Sequence, residues 1–224
     1  MFALILLALG LTAKGWLDAH PEHNPWAPLD LRDPPGWATE RKLAALRDDP
    51  AGCRAVLARS GVQFTTLEPA GEGTCLRPDR TILPEYPLSP KAPLTTCALA
   101  AGLELWLRDG VRPAATELLG TKVVRIEHFG AFSCRRLYGR AGGRWSEHST
   151  GNAIDIAAFV LADGRRISVL QDWKGAGPEA AFLHRVRDNG CKVFGTVLSP
   201  DYNTAHRDHL HLDQQARGFG SVCR

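Results

Sequence analysis

WSEHSTGNAIDI, residues 145–156, places His148 seven positions before Asp155, with Gly151 and Asn152 between them. On one unbroken strand, seven steps of about 3.3 Å would set the two side chains about 23 Å apart and on opposite faces. A helix is disfavoured by Gly151 and Asn152. The chain therefore turns at Gly151–Asn152, and His148 sits in a loop folded back over the start of a strand that carries Asp155. On that strand Asp155 and Ala157 share one face, while Ile154 and Ile156 share the other and enter the core.

A second cluster, HRDHLHLD at 206–213, supplies the facing half. His209, His211 and Asp213 project from one face of a strand there, and Leu210 and Leu212 from the other. If this strand pairs near Asp155, one of its histidines joins His148 and Asp155 around a single ion. Two imidazoles and one carboxylate leave a fourth position for water, the arrangement of hydrolytic zinc sites. Spacing alone leaves both His209 and His211 within reach, although four protein ligands would close the site and make it structural. Any one of these histidines, taken singly, reads as a surface or satisfied core residue. The conjunction of H-x-x-G-x-A-x-D with a later H-x-x-H-x-H is what points to a metal.

Outward from this centre, the chain reads as helices first and an antiparallel sheet second, an α+β fold carrying a zinc site. A helix opens near Thr39, read as a cap, with Leu43, Ala44 and Leu46 at helical spacing, and a short one follows over Gly52–Arg59. Val62–Leu67 and Thr81–Leu83 read as strands. Thr95–Arg108 is the strongest helix, with Leu99, Leu103, Trp106 and Leu107 on one face and Asp109–Gly110 as a stop. Pro113–Leu119 reads as helix and Lys122–Phe129 as strand. Ala153–Leu161 and Arg166–Val169 form a hairpin through Asp163–Gly164. Pro178–Asn189 is a helix ended by Gly190, and Lys192–Leu198 and Leu210–Asp213 complete the sheet.

The 224 residues suit one main domain, at 35–224, with short additions before it. Phe2–Ala13 is a continuous apolar run. It reads as the core of an export signal over residues 1–17 or, extended through Trp16 and Leu17, as a short uncleaved anchor. Residues 18–34 are proline-rich and aperiodic, a linker or an extended arm, and His20 and His23 within them read as loop histidines. A hydrophobic content of 44% and a charged content of 23% exclude a disordered or polytopic membrane chain. The 27 Lys and Arg are scattered among 24 acids, which argues against nucleic acid as a partner. Six dispersed cysteines without a C-x-x-C pair read as disulfides made in an oxidising compartment, with buried free thiols as the alternative. Cys191 and Cys223 flank the second histidine cluster and are the expected pair.

SEHSTGNAIDI resembles the S-x-H-x-x-G-x-A-x-D motif of the D-alanyl-D-alanine carboxypeptidases and dipeptidases, murein endopeptidases and hedgehog signalling domains, a zinc superfamily. DHLHLD resembles its closing H-x-H. Within that superfamily residues 35–224, with their cysteine pattern and the SCRRLYGR lead-in, most resemble the bacterial extensin-like C-terminal domain family. The resemblance implies that His148, Asp155 and His211 hold Zn2+ and that His209 lies beside the reacting water. It offers three candidates for the catalytic base, in the order His209, His206 and Asp208. Asp208 needs a bend at the strand start to face His209. Arg135 falls near the arginine that binds the substrate carboxylate in the peptidases. The glycine and tyrosine that usually precede it are Ser133 and Cys134 here, and Arg136 is an equal candidate.

These residues lead to an exported zinc metallopeptidase acting on peptide or amide bonds of peptidoglycan stem peptides or cross-links. Its expected location is periplasmic or extracellular, with an inner-membrane anchor if the N-terminus is retained. The alternative is a zinc-containing wall-binding or structural domain without turnover. A metal-dependent nuclease is disfavoured by the lack of a basic groove signal.

Overall fold

The computed structural model describes residues 1–216 and 221–224. Helix α1 (Phe2–Ala19) gathers the apolar run together with Trp16 and Leu17, and none of its residues is buried. At 1.5 Å per residue, 18 residues reach about 27 Å, close to the hydrocarbon thickness of a bilayer. By length and composition α1 can cross a membrane or serve as a signal sequence. Its end stacks on the residues after it: Trp16 lies against His20 and His23, and His23 against Trp37. The proline-rich segment that follows is a packed arm and not a free linker. Leu29 and Leu31 enter the core, Arg59 donates to Leu29 O, and Arg108 donates to Leu31 O and Asp33 O.

Helix α2 (Thr39–Ala45) begins without a side-chain cap; Thr39 Oγ1 instead accepts from Gly36 N and tightens the preceding turn. Asp49 caps α3 (Pro50–Arg59) by accepting from Gly52 N. β1 (Thr65–Thr66) and β2 (Thr81–Ile82) are shorter than the sequence pattern predicts and pair with each other outside the main sheet, with Thr81 also bridging to Thr95. After β3 (Leu88–Ser89), Thr96 caps α4 (Cys97–Leu105) by accepting from Leu99 N. Asp109–Gly110, a stop signal by sequence, does not end the helical run. A π-helical turn at Trp106–Val111 carries it into α5 (Arg112–Leu119), which stops at Gly120 in the left-handed region. Gly110 serves close packing instead, since a Cβ there would lie 3.0 Å from Asn189 Cβ.

The remaining elements are β4 (Val123–Gly130), β5 (Ala153–Leu161), β6 (Arg166–Ser168), α6 (Val169–Asp172), α7 (Pro178–Gly190), β7 (Thr196–Leu198), β8 (Leu210–Asp213) and β9 (Val222–Cys223). The fold is α+β with N-terminal helices, as the element order predicts, but the sheet is mixed where an antiparallel one is expected. β4, β5, β8 and β7 pair antiparallel in that order and β6 adds to β5, while β3 runs parallel to β4 and β9 parallel to β7. Both parallel strands are two-residue outer strands whose direction is set by long-range ties. Ile126 N donates to Pro87 O beside β3, and the Cys191–Cys223 disulfide holds β9. The other bridges join Cys53 to Cys97 and Cys75 to Cys134, so all six cysteines are paired.

The core lies between the helices and one face of the sheet. Ile154, Ile156, Phe159, Leu210 and Leu212 meet Leu99, Trp106 and Phe182 there. Phe159 stacks edge-on to Phe182 with ring centroids 5.1 Å apart, and Trp106 Nε1 donates to Val186 O. Each such fully buried side chain contributes about 1.5–3 kcal/mol through removal from water. The inward residues change phase between Ile156 and Phe159 because β5 carries an extra residue, Ala157, in its pairing with β4.

Candidate metal centre and cleft

The opposite face of β5 and β8 carries the site. Asp155 and His211 are Cα partners in the β5–β8 ladder, so one register decision places the carboxylate beside the imidazole. His148 comes from the connection before β5. A 3-10 turn at Glu147–Thr150 is opened by Ser146, whose Oγ accepts from His148 N, and closed by Gly151 at φ 75°. Asn152 then locks this turn to the domain. Its Nδ2 donates to Glu147 Oε2, its Oδ1 accepts from Thr96 Oγ1 at the start of α4, and its carbonyl accepts from Gln214 N. Arg47 pairs with Glu147 at 3.2 Å, and Gln215 donates to it.

His148 Nε2 lies 3.1 Å from Asp155 Oδ1 and 3.2 Å from His211 Nδ1, which is itself 3.0 Å from Asp155 Oδ1. The outer nitrogens fix which atoms face inward. His148 Nδ1 donates to Ala131 O, which can only accept, and His211 Nε2 donates to Asp213 Oδ2. Both neutral rings therefore turn lone pairs toward a carboxylate oxygen. Three lone pairs this close repel unless a cation lies among them. A proton gives partial relief: burial favours neutral His211, yet its hydrogen bonds to Asp155 and Asp213 push it up to about 9. Burial also opposes charge on Asp155, but its contacts with the His148 and His211 imidazoles outweigh it and hold the carboxyl well below the usual range.

A divalent cation offers fuller relief, and the spacing suits one. An ion bound tetrahedrally at about 2.0–2.1 Å would hold its donors about 3.3 Å apart, within a few tenths of the observed separations. The trio can hold a metal as it stands, and the outer partners Ala131 O and Asp213 orient the rings as the shell behind a metal does.

The trio lines a cleft of about 340 Å³ with Arg135, Tyr138, His206 and His209 among its walls. His209 precedes β8 and does not belong to it. The 3-10 turn at Thr204–His206 and the turn at Arg207–Asp208 bend the chain there, so Asp208 faces the neighbouring ring and does not point away from it. His209 Nδ1 donates to Asp208 Oδ1 at 2.9 Å, leaving Nε2 directed to the trio, 3.5 Å from Asp155 Oδ1. His206 Nδ1 donates to Asn203 Oδ1 at 2.8 Å. Burial, with the nearby charges of His211 and His209, lowers His206 to about 4.

Arg135 and Arg136 separate. Arg135 reaches the cleft, while Arg136 lies over the Trp145 ring and donates to Gly143 O. The Cys75–Cys134 bridge holds the chain next to Arg135.

Several supporting residues have no role assigned from the sequence. Asp213, placed there on the His211 face of its strand, proves to be the partner of His211 Nε2. Asn203 shows a weak signal, three residues ahead of His206, where its Oδ1 also accepts from Ala205 N. Ala131 O and the Thr96–Asn152 contact have none, because they join distant segments. Tyr138, in the left-handed region at φ 57°, brings its hydroxyl to Asn203 Nδ2 across the cleft.

The family model described as Extensin-like protein C-terminus matches residues 51–224, and the chain belongs to that family. No curated protein and no solved structure matches it.

Proposed function

We propose that this member of the extensin-like family is an exported zinc-dependent hydrolase of peptide or amide bonds, acting on peptidoglycan stem peptides or cross-links outside the cytoplasm. The observation that carries the reading is the His148–Asp155–His211 trio, with three lone pairs converging at 3.0–3.2 Å beside a third histidine, His209, whose Nδ1 proton is taken up by Asp208. His148 Nε2, Asp155 Oδ1 and His211 Nδ1 would hold the ion. Zinc supplies a Lewis acid for the scissile carbonyl and makes water more acidic.

The chain's own groups do the rest. His209 Nε2 takes the proton of the attacking water, with Asp208 holding the ring in the required tautomer and stabilising its charged form. His206, fixed by Asn203 and kept neutral by burial, is a second acceptor on the same wall. Arg135 at the cleft wall suits a substrate carboxylate. The three disulfides and α1 support export, either through a signal or behind an anchor.

The test is to purify the full chain in detergent, measure bound metal, and digest peptidoglycan with wild type and His211→Ala. One zinc per chain with new peptide ends in wild type alone is the expected result. Zinc at unit stoichiometry without any change in the peptidoglycan would replace the hydrolase with a wall-binding domain.

A further inference from the structure

Phe129 stands edge-on to His209 with ring centroids 5.9 Å apart. Beyond it lies a second hollow of about 260 Å³, lined by Pro90, Glu127, Phe129, Ala157 and Arg166 among others. Two bulges shape it. Glu127 pairs with Ala158 and His128 with Ile156, so Ala157 is the extra residue on β5; Gly130 pairs with Asp155, so Phe129 is the extra residue on β4. Bulges next to sites re-aim side chains, and here both extra residues line the hollow. Ala157 follows Asp155 by two positions, about 7 Å along the strand. His128 Nε2 donates to Lys91 O and ties the Ser89–Lys91 wall to the bulged strand.

The hollow is also charged. Arg166 Nε and Nη2 donate to Glu127 Oε2 at 2.9 and 2.7 Å, while Arg125 Nη2 stands 3.6 Å from Glu127 Oε1. Two guanidiniums share one carboxylate, which leaves a net positive charge on arginines that are about half exposed. Arg166 still has an N–H fork edge to offer, since its pair with Glu127 uses only Nε and Nη2.

We propose that this hollow is a second substrate subsite, continuous with the metal cleft over the Phe129 ridge, and that it takes a carboxylate-bearing peptide segment. Arg166 is its specificity-determining residue and Phe129 the apolar surface the peptide crosses. The subsite rests on the hydrolase reading for its purpose but not for its binding.

The experiment titrates the full chain, with metal chelated, against synthetic pentapeptides bearing one glutamate at successive positions, each matched by a glutamine twin. At one position the glutamate peptide should bind about tenfold tighter, the scale of one charge-assisted contact. That margin should vanish in Arg166→Gln, persist at reduced size in Arg166→Lys, and survive in Arg125→Gln. Phe129→Ala should weaken both twins alike. Equal binding of every pair by wild type, or a full margin in a folded Arg166→Gln protein, would overturn the subsite. Because chelation removes hydrolysis from the readout, failure to cut peptidoglycan would count against the hydrolase alone.

Discussion

The two walls of the cleft are built differently. Asp155 and His211 sit opposite each other on paired strands, and His148 hangs from a turn locked by Asn152, with a second partner behind each of the two imidazoles. His206, Asp208 and His209 lie on a turn between β7 and β8, held by Asn203 and by one another. A metal requires fixed donors, which a strand ladder provides. A proton acceptor tolerates and uses some freedom, which a turn provides. On the proposed reading holding and reacting fall to different walls, and the division can be tested wall by wall.

The largest expected effect is on the strand wall. His211→Ala leaves two donors, and metal analysis of the purified variant should find less than about a tenth of the wild-type zinc, because three protein ligands are the minimum of such sites. Substantial zinc in that variant would move the third ligand to His209 and erase the division. On the turn wall, His209→Ala should keep zinc at unit stoichiometry while turnover of peptidoglycan falls about 10²–10⁴-fold, the range for losing a general base. Loss of zinc along with activity would place His209 among the ligands.

Smaller effects sharpen the same contrast. Asp213→Ala removes the acceptor behind His211, and competition with a zinc indicator should show affinity weakened about 10–100-fold, as for other partners behind a metal ligand. Asp208→Asn should leave that affinity unchanged and slow turnover about tenfold, since the acceptor of the His209 proton survives in weaker form. If the two substitutions acted alike, the walls would not be independent.

The strand wall was also the readable one. Leu210–Asp213 matches its expected boundaries, Asp155 lies opposite the core-facing Ile154 and Ile156, and the turn at Gly151–Asn152 forms as its residues require. Alternation along a strand and the needs of a tight turn are local, so residues a few positions apart reveal them. The Cys191–Cys223 pair was legible for a related reason, as its cysteines bracket the segment they secure. Asp208 shows where local reasoning ended: a regular strand would turn it away from His209, and the bend that reverses this depends on Asn203, Tyr138 and the preceding 3-10 turn.

Other departures share that cause. Asp109–Gly110 carries a stop signal, yet packing against Asn189 makes the glycine a contact point within a continuing helical run. The proline-rich arm lacks any period, but Leu29 and Leu31 find partners far along the chain. The direction of β3 and β9 depends on ties at their ends, which no alternation pattern records.

The sequence by itself determined the donor types, their spacing, and which face of each strand they occupy, because side-chain chemistry and backbone periodicity are properties of neighbouring residues. Only the tertiary structure decided that Asp155 and His211 share a register, that Ala131 O and Asp213 turn lone pairs inward, and that two adjacent bulges place Ala157 and Phe129 in the wall of a second hollow. Those outcomes depend on segments brought together from across the chain, where the energy of packing and pairing selects among placements that are locally equivalent.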